Sequence, residues 1–358
     1  MPVYKNEEKN TWYTSFYYQD WQGNRKRKKK EGFARKKDAQ EYERTFKLQQ
    51  SGSCDMTFRQ MTELYLSDCK IRQKPTSYYT KENMINNHIL PYFSDTPIKD
   101  ITAIAVRQWQ NALLSDPKGY SQNYLHTVNG HLSAIFNHAV KFYGLRSNPA
   151  RECGKIKTKA TKINFWKLEQ FNTFMQTLGY TYPARTMFLL LFWTGIRVGE
   201  LLALTLNDFN FETHTLHISK SYAQLNKMDL IQTPKTEKSN RILTIPPFLE
   251  EEIKIYTAKL YAYKPSERLF PVSKGLLVYY IKKVCTAADL PTIRIHDLRH
   301  SHASMLINMG MSPLLVQERL GHEKIETTLN IYSHLYQDTQ EELSAKLQEQ
   351  FSTFSVRS

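Results

Sequence analysis

Cysteine is scarce in this 358-residue chain: Cys54, Cys69, Cys153 and Cys285 are scattered, and no two form a C-x-x-C pair. That spacing excludes a zinc ribbon or a disulfide scaffold as the organising device. Long apolar runs are missing too. The longest, Met187 to Trp193, is far too short to cross a bilayer, and the amino terminus, M-P-V-Y-K-N-E-E-K-N, has no apolar signal core. The expectation is a protein of a reducing cytoplasm with no membrane partner. No G-x-x-x-x-G-K-[ST] loop occurs, so no ATP-driven step is expected. Acidic residues are in deficit, 34 Asp and Glu against 49 Lys and Arg, and the formal charge of +15 points to a polyanionic partner, nucleic acid first.

The length suggests two or three domains, each with its own core. From Thr11 to about Gln50 the chain reads as a small unit. Trp12 to Tyr18 is aromatic and β-prone, Asp20 to Asn24 is a turn, and a basic run holds Arg25, Lys26, Arg27 and Lys28. Phe33 is expected to begin a third strand, and Lys37 to Leu48 a helix. A sheet carrying R-K-R-K-K-K can lie against a duplex, although a basic run alone is also compatible with a solvated face.

Ser51 to Asp55 reads as a linker. Four helical patterns follow, Thr57 to Lys70, Pro75 to Leu90, Thr102 to Leu114 and Ser121 to Tyr143, with Pro91, Pro117 and Pro149 among their breakers. Leu125, Val128, Leu132, Ile135, Phe136 and Ala139 share one face of the last, which suits a bundle core. Lys74 and Thr76 are candidates for DNA contact on this bundle. Arg151 to Lys162 is rich in Lys and Thr and is expected to be an exposed connection, with Lys155 and Lys157 able to follow a phosphate backbone.

The chemistry concentrates further on. In I-R-I-H-D-L-R-H-S-H-A, residues His296, Arg299 and His300 stand at i, i+3 and i+4, so a helix puts them on one face. L-G-H then brings His322, and N-I-Y brings Tyr332. H-D-L-R-H is not a metalloprotease H-E-x-x-H: Asp297 is too short, and Arg299 would set a cation beside the metal. Upstream, T-G-I-R-V-G-E follows the apolar run, where Gly195 ends a buried helix and Arg197 emerges with Glu200 as an orienting partner. Two arginines on one phosphodiester can each bind oxygens bidentately and hold the charge of five-coordinate phosphorus. Three β-prone segments, Thr215 to Ser219, Leu230 to Thr233 and Arg241 to Ile245, are expected, with Lys235 of P-K-T-E-K-S-N-R at a hairpin tip.

Taken together, Arg197, Lys235, His296, Arg299, His322 and Tyr332 resemble the R…K…H-x-x-R…H…Y pattern of the tyrosine recombinase family, most of all the integrases of phages and integrative elements. The resemblance implies a mainly α fold with small β elements: an arm-site DNA-binding domain at 1–52, with a three-stranded sheet and a helix, and a SAM-like four-helix core-binding domain at 56–150. A linker at 151–164, a catalytic domain at 165–337 with a small three-stranded sheet, and a tail helix at 338–358 complete it. It also implies Tyr332, rather than Tyr336, as the nucleophile forming a 3′-phosphotyrosyl bond. His296 would assist as base, Arg197, Arg299 and His322 would stabilise charge on phosphorus, and Lys235 would protonate the 5′ oxygen. No metal or cofactor is implied. A homotetramer on double-stranded attachment sites, with accessory excision and DNA-bending proteins, is expected. A type IB topoisomerase-like relaxase and a non-enzymatic DNA-binding regulator are the alternatives.

Overall fold

The computed structural model describes residues 3–7, 9–19, 24–50, 56–159, 164–226, 228–233, 237–332, 344–345, 347–349 and 351–352. The chain divides into two units, Met1–Ala160 and Thr161–Ser358.

The first unit opens with an antiparallel sheet in the order β1 (Val3–Asn6), β2 (Thr11–Gln19), β3 (Arg25–Phe33), followed by helix α1 (Lys36–Gln50). The third strand is therefore not the one expected from Phe33. Phe33 ends β3 opposite Trp12, Gly32 adopts φ +91° just before it, and the chain turns into α1, while Val3–Asn6 supplies the missing strand. Alternation in β2 explains the layer: Phe16 points inward and meets Phe46 of α1 edge-on at 5.3 Å, whereas Tyr17 stays exposed beneath the guanidinium of Arg25 at 4.2 Å. Arg25, Lys26 and Arg27 are exposed and Lys28 half-buried, with Arg27 donating to Ser15 Oγ at 2.9 Å.

The helical bundle comprises α2 (Phe58–Arg72), α3 (Pro75–His88), α4 (Leu90–Phe93), α5 (Ala103–Leu114), α6 (Gln122–Tyr143) and α7 (Pro149–Cys153). Polar caps start the long helices: Thr57 forms a reciprocal capping box with Gln60, and Thr102 and Ser121 accept from the first turns of α5 and α6. The face of α6 expected to be apolar is buried. Lys74 and Thr76 stand at the start of α3, both half-buried. The expected connection from Arg151 is a different matter, because its first part packs as bundle. Asn148 caps α7, Ile156 is buried with its carbonyl 2.6 Å from His126 Nδ1, and Asn123 brackets the backbone of Lys159 with two hydrogen bonds of 3.1 and 3.2 Å. Buried Ile156 and these hydrogen bonds dock the segment, leaving Lys155 and Lys157 exposed on either side of it.

In the second unit, α8 (Leu168–Leu178), α9 (Ala184–Thr194) and α10 (Val198–Ala203) precede the strands β4 (Phe209–Asn210), β5 (Thr215–Ile218), β6 (Ser221–Leu225), β7 (Met228–Gln232) and β8 (Arg241–Thr244). Helices α11 (Pro247–Thr257), α12 (Lys274–Ala287), α13 (Asp297–Asn308), α14 (Pro313–Leu320) and α15 (Ile325–Tyr332) follow. The three-stranded sheet is β4-β5-β8; the middle segment expected in it pairs instead with β6 as a separate hairpin. Strand β7, M-D-L-I-Q, leaves Met228 and Ile231 exposed and buries no residue fully, unlike the sheet's partners, which bury Leu216, Ile218 and Leu243; it pairs antiparallel with S-Y-A-Q-L instead. Helix α9 is buried over most of its surface, its residues Phe188, Leu190, Leu191 and Phe192 forming the centre of this unit's core. Among the described residues no helix is long and apolar enough to cross a membrane.

Candidate active site

Helix ends build the site. Helix α9 stops at Gly195 with φ +66°, and α14 stops at Gly321 with φ +65°, both left-handed C-caps whose carbonyls carry the negative end of the helix. Each receives an arginine. Arg299, on buried α13, donates from Nη1 to Gly195 O at 2.8 Å and from Nη2 to Leu320 O, while Arg197 donates from Nη2 to Gly321 O at 3.2 Å. Neither position tolerates a side chain: a Cβ on Gly195 would stand 2.6 Å from His302 Cδ2, and one on Gly321 would stand 3.0 Å from Lys238 O.

Glu200, 3% exposed, organises the cations behind these carbonyls. Its carboxylate accepts from Arg197 Nη1 at 2.7 Å and from Arg241 Nη2 at 2.9 Å, and also caps the backbone N–H of Arg197 at 2.9 Å. Burial alone would raise its pKa, but Arg241 and Arg197 together outweigh that and hold it below the usual carboxylate range. Arg241 also donates from Nε to Arg319 O at 2.9 Å. Arg319 in turn reaches His302 Nε2 at 3.0 Å and the carbonyls of Thr244 and Trp193, each at 3.2 Å. Arg241 and Arg319 thus lock α9, α14 and β8 together.

The imidazoles stand beside this frame. His296 is the N-cap of α13, so it lies at the mouth of the helix rather than on its face with Arg299, which turns inward and is only 3% exposed. Loss of hydration and then the charges of His300, Arg299 and Arg197 pull the His296 pKa down to about 4 although its edge faces solvent. His322 is held by Thr328, whose Oγ1 lies 2.9 Å from Nδ1, and burial followed by Arg299 and Arg197 brings its pKa to about 3. Burial lowers Arg299 to about 9, which leaves it charged near neutrality.

Tyr332 closes α15 and is 2% exposed, packed with Ala303, Ile307, Val316 and Leu320. Its phenol meets His300, with Oη 2.6 Å from Nδ1. Burial pushes the phenol above its ordinary range, and Arg299 partly opposes this. Arg197, His296, Arg299, His322 and Tyr332 are therefore brought together, while Lys235 lies outside the described residues, as does Tyr336. Sequence reasoning assigned no role to Arg241, His302 or Arg319, and gave His300 only a place on the phosphate-facing side beside His296 and Arg299. Of these, Arg241 had a signal as the last residue of T-P-K-T-E-K-S-N-R, and His300 had one in its spacing from His296.

Chemically, two guanidinia held from behind, with two neutral imidazoles and a phenol in front, suit a phosphodiester gaining negative charge. Comparisons agree. Residues 164–339 match the phage integrase family model, residues 57–114 the phage integrase N-terminal SAM-like domain and residues 2–50 the Arm DNA-binding domain. The ICEBs1 integrase of Bacillus subtilis (strain 168) is 30% identical over 313 residues, which cover 82% of this chain and 83% of that protein. A tyrosine recombinase XerC-like protein of Caldanaerobacter subterraneus subsp. tengcongensis is 28% identical over 78% of this chain and 80% of its own length. The Tn1549 transposon integrase in complex with a circular intermediate DNA superposes with a TM-score of 0.70 at 21% identity, over 82% of this chain and 99% of that one. A lambda integrase tetramer bound to a Holliday junction gives a TM-score of 0.57 at 17% identity, over 90% and 95% of the two chains.

Proposed function

The chain belongs to the phage integrase family and is a site-specific tyrosine recombinase of a mobile genetic element, and from that premise we propose which residues carry the reaction. Tyr332 attacks a phosphorus of the DNA backbone, forming a 3′-phosphotyrosyl bond and displacing the 5′ oxygen. Arg197 and Arg299 bind the non-bridging oxygens, and His322 donates a hydrogen bond to them. His296, at the mouth of α13, assists proton movement, and Lys235 protonates the departing oxygen. The bond energy stays in the covalent link, so a 5′ hydroxyl of the partner duplex can reverse the step and exchange strands.

The observation that carries this reading is the pair of hydrogen bonds from Arg299 to Gly195 O and Leu320 O, which holds one guanidinium between the two motifs bearing Arg197 and His322. An arginine fixed from behind is preorganised for charge that develops in front of it. The test uses a supercoiled plasmid carrying the DNA that flanks the coding region. Tyr332→Phe should bind it with unchanged affinity and give no covalent adduct on a denaturing gel, whereas Tyr336→Phe should still give adduct. Adduct from Tyr332→Phe rejects the assignment.

Around this centre we assign 1–52 to arm-site binding through Arg25, Lys26, Arg27 and Lys28. Residues 56–150 hold the core site, with Lys74 and Thr76 at the start of α3 facing phosphate. Lys155 and Lys157 follow the backbone, and 165–337 perform catalysis. Strand exchange joins two duplexes, so the working form is a homotetramer on paired double-stranded sites, a reading supported by the lambda integrase tetramer on a Holliday junction. Excision and DNA-bending proteins act as its accessories. The tail at 338–358 couples protomers; Leu347 and Phe351 are 61% and 64% exposed on it, apolar surface that a neighbouring protomer would cover. Deletion after Gln337 should abolish assembly on paired sites, and unchanged assembly rejects the coupling.

A further inference from the structure

Resting on Tyr332 as the nucleophile, we propose that His300, not His296, receives the phenolic proton as the tyrosine oxygen bonds to phosphorus. Nδ1 of His300 lies 2.6 Å from Oη of Tyr332, and among the described residues no other side chain hydrogen-bonds that oxygen. His296 stands one turn back, its ring edge-on to that of His300 with centroids 5.2 Å apart. It feels the charges of Arg299 and Arg197 and so stands on the arginine side of the site.

The chemistry needs a base at this position. Tyr332 is 2% exposed, and burial raises its pKa above the ordinary phenol value of 10.0, so a phenolate formed in advance would be rare near neutrality. Removal of the proton has to accompany attack. For Nδ1 to accept, the ring must be neutral with its hydrogen on Nε2. Its surroundings favour that state. Burial is the largest cause lowering its pKa from 6.5; Asp297 opposes, while Arg299 and Arg294 add to the lowering. Asp297, Arg299, Arg294 and His296 face the ring from α13 and the turn before it, Tyr332 from α15, and His322 from the turn after α14.

The step balances. The O–H bond of Tyr332 breaks and its proton goes to His300 Nδ1; the tyrosine oxygen bonds to phosphorus; the P–O5′ bond breaks, and the 5′ oxygen takes a proton from Lys235. In rejoining, a 5′ hydroxyl gives its proton to neutral Lys235 as it attacks, and His300 returns its proton to the departing tyrosine oxygen. His300 thus touches the reacting atom in both directions. The competing role is a latch that only keeps the phenol buried.

The test follows single-turnover adduct formation by the full chain on the plasmid carrying the flanking DNA. His300→Gln should keep DNA affinity and the wild-type unfolding midpoint, lose roughly 10²-fold or more in rate, and lose the acid limb of the pH profile. Replacing Tyr332 by difluorotyrosine, a more acidic phenol, should restore most of that rate in His300→Gln. The same replacement should not restore a His296→Gln chain. In the intact chain, the acid limb should coincide with titration of the His300 ring followed by ¹⁵N NMR, a check that does not depend on any variant folding. Faster adduct formation by His300→Gln makes it a latch and overturns the proposal, as does an unchanged rate or a limb that does not track the ring. Adduct from Tyr332→Phe instead removes the nucleophile assignment, a failure separable from that of His300.

Discussion

The guanidinium of Arg299 donates 2.8 Å to the carbonyl oxygen of Gly195, joining motifs 104 residues apart. The glycine must be left-handed to end α9 there, and it must be bare because His302 and Leu320 close over it. Gly195→Ala adds both a strained φ and a Cβ at 2.6 Å from His302 Cδ2. We expect a loss of about 1–3 kcal/mol in denaturant unfolding, with adduct formation falling further because Arg299 shifts with the carbonyl.

Glu200 and Arg241 are 3% and 9% exposed and bonded through two hydrogen bonds of 2.9 and 3.3 Å. Removing the carboxylate leaves a buried guanidinium short of its counter-ion. Glu200→Ala should cost about 3–5 kcal/mol of stability, and Glu200→Ala with Arg241→Ala less than the sum of the single changes. Additive costs in a double-mutant cycle would show that the two side chains do not act as a pair.

Acid sensitivity follows from His302. Arg319 Nε donates to its Nε2 at 3.0 Å, so the ring is neutral, and burial first, then Arg319, holds its pKa at about 3 against an ordinary 6.5. Between those values the unfolded chain binds a proton that the folded chain does not. Stability is therefore fully present above pH 6.5 and falls as pH drops toward about 3. His302→Gln keeps an acceptor for Arg319 but cannot titrate, and should flatten the fall in urea midpoints over that window. An unchanged slope would locate the acid sensitivity elsewhere.

Much of this was legible in the chain itself. Arg197, Arg299, His322 and Tyr332 sit in short motifs whose glycines and apolar neighbours fix local geometry, and the bundle helices begin and end at the polar caps and prolines that signal them. What was not legible depends on distance or on a single apolar residue. The partner of Tyr332 lies 32 residues upstream, and helical spacing alone placed His300 on the phosphate-facing side with no indication that it would turn to a phenol. Arg319 is indistinguishable in sequence from a surface cation, and Arg241 has only its place at the end of T-P-K-T-E-K-S-N-R, because folding alone brings Glu200 and the carbonyls of Arg319, Thr244 and Trp193 to them. β1 was missed since four residues carry too little alternation to register, and the docked start of the connection since its apolar anchor, Ile156, stands among lysines.

The basic strand makes a prediction about salt. Lys26 and Lys28 lie on β3, and changing both to Gln removes two cations from the arm unit; it keeps the Phe16–Phe46 contact and loses the Lys28 ammonium that stands 5.6 Å from the Phe46 ring. Binding to arm-site DNA should weaken, and the slope of log K against log salt should shrink by roughly 0.9 for each phosphate that the variant no longer neutralises. The unfolding free energy should fall by no more than about 1 kcal/mol. An unaltered salt slope would remove these lysines from the interface.

The proposed covalent capture through Tyr332 is tested directly by mass. The adduct formed with DNA from the flanking region is digested with nuclease and protease, and the peptides are sequenced by mass spectrometry. A nucleotide remnant on the phenol of Tyr332 is the expected result. A remnant on Tyr336 or on any other residue would contradict the assignment.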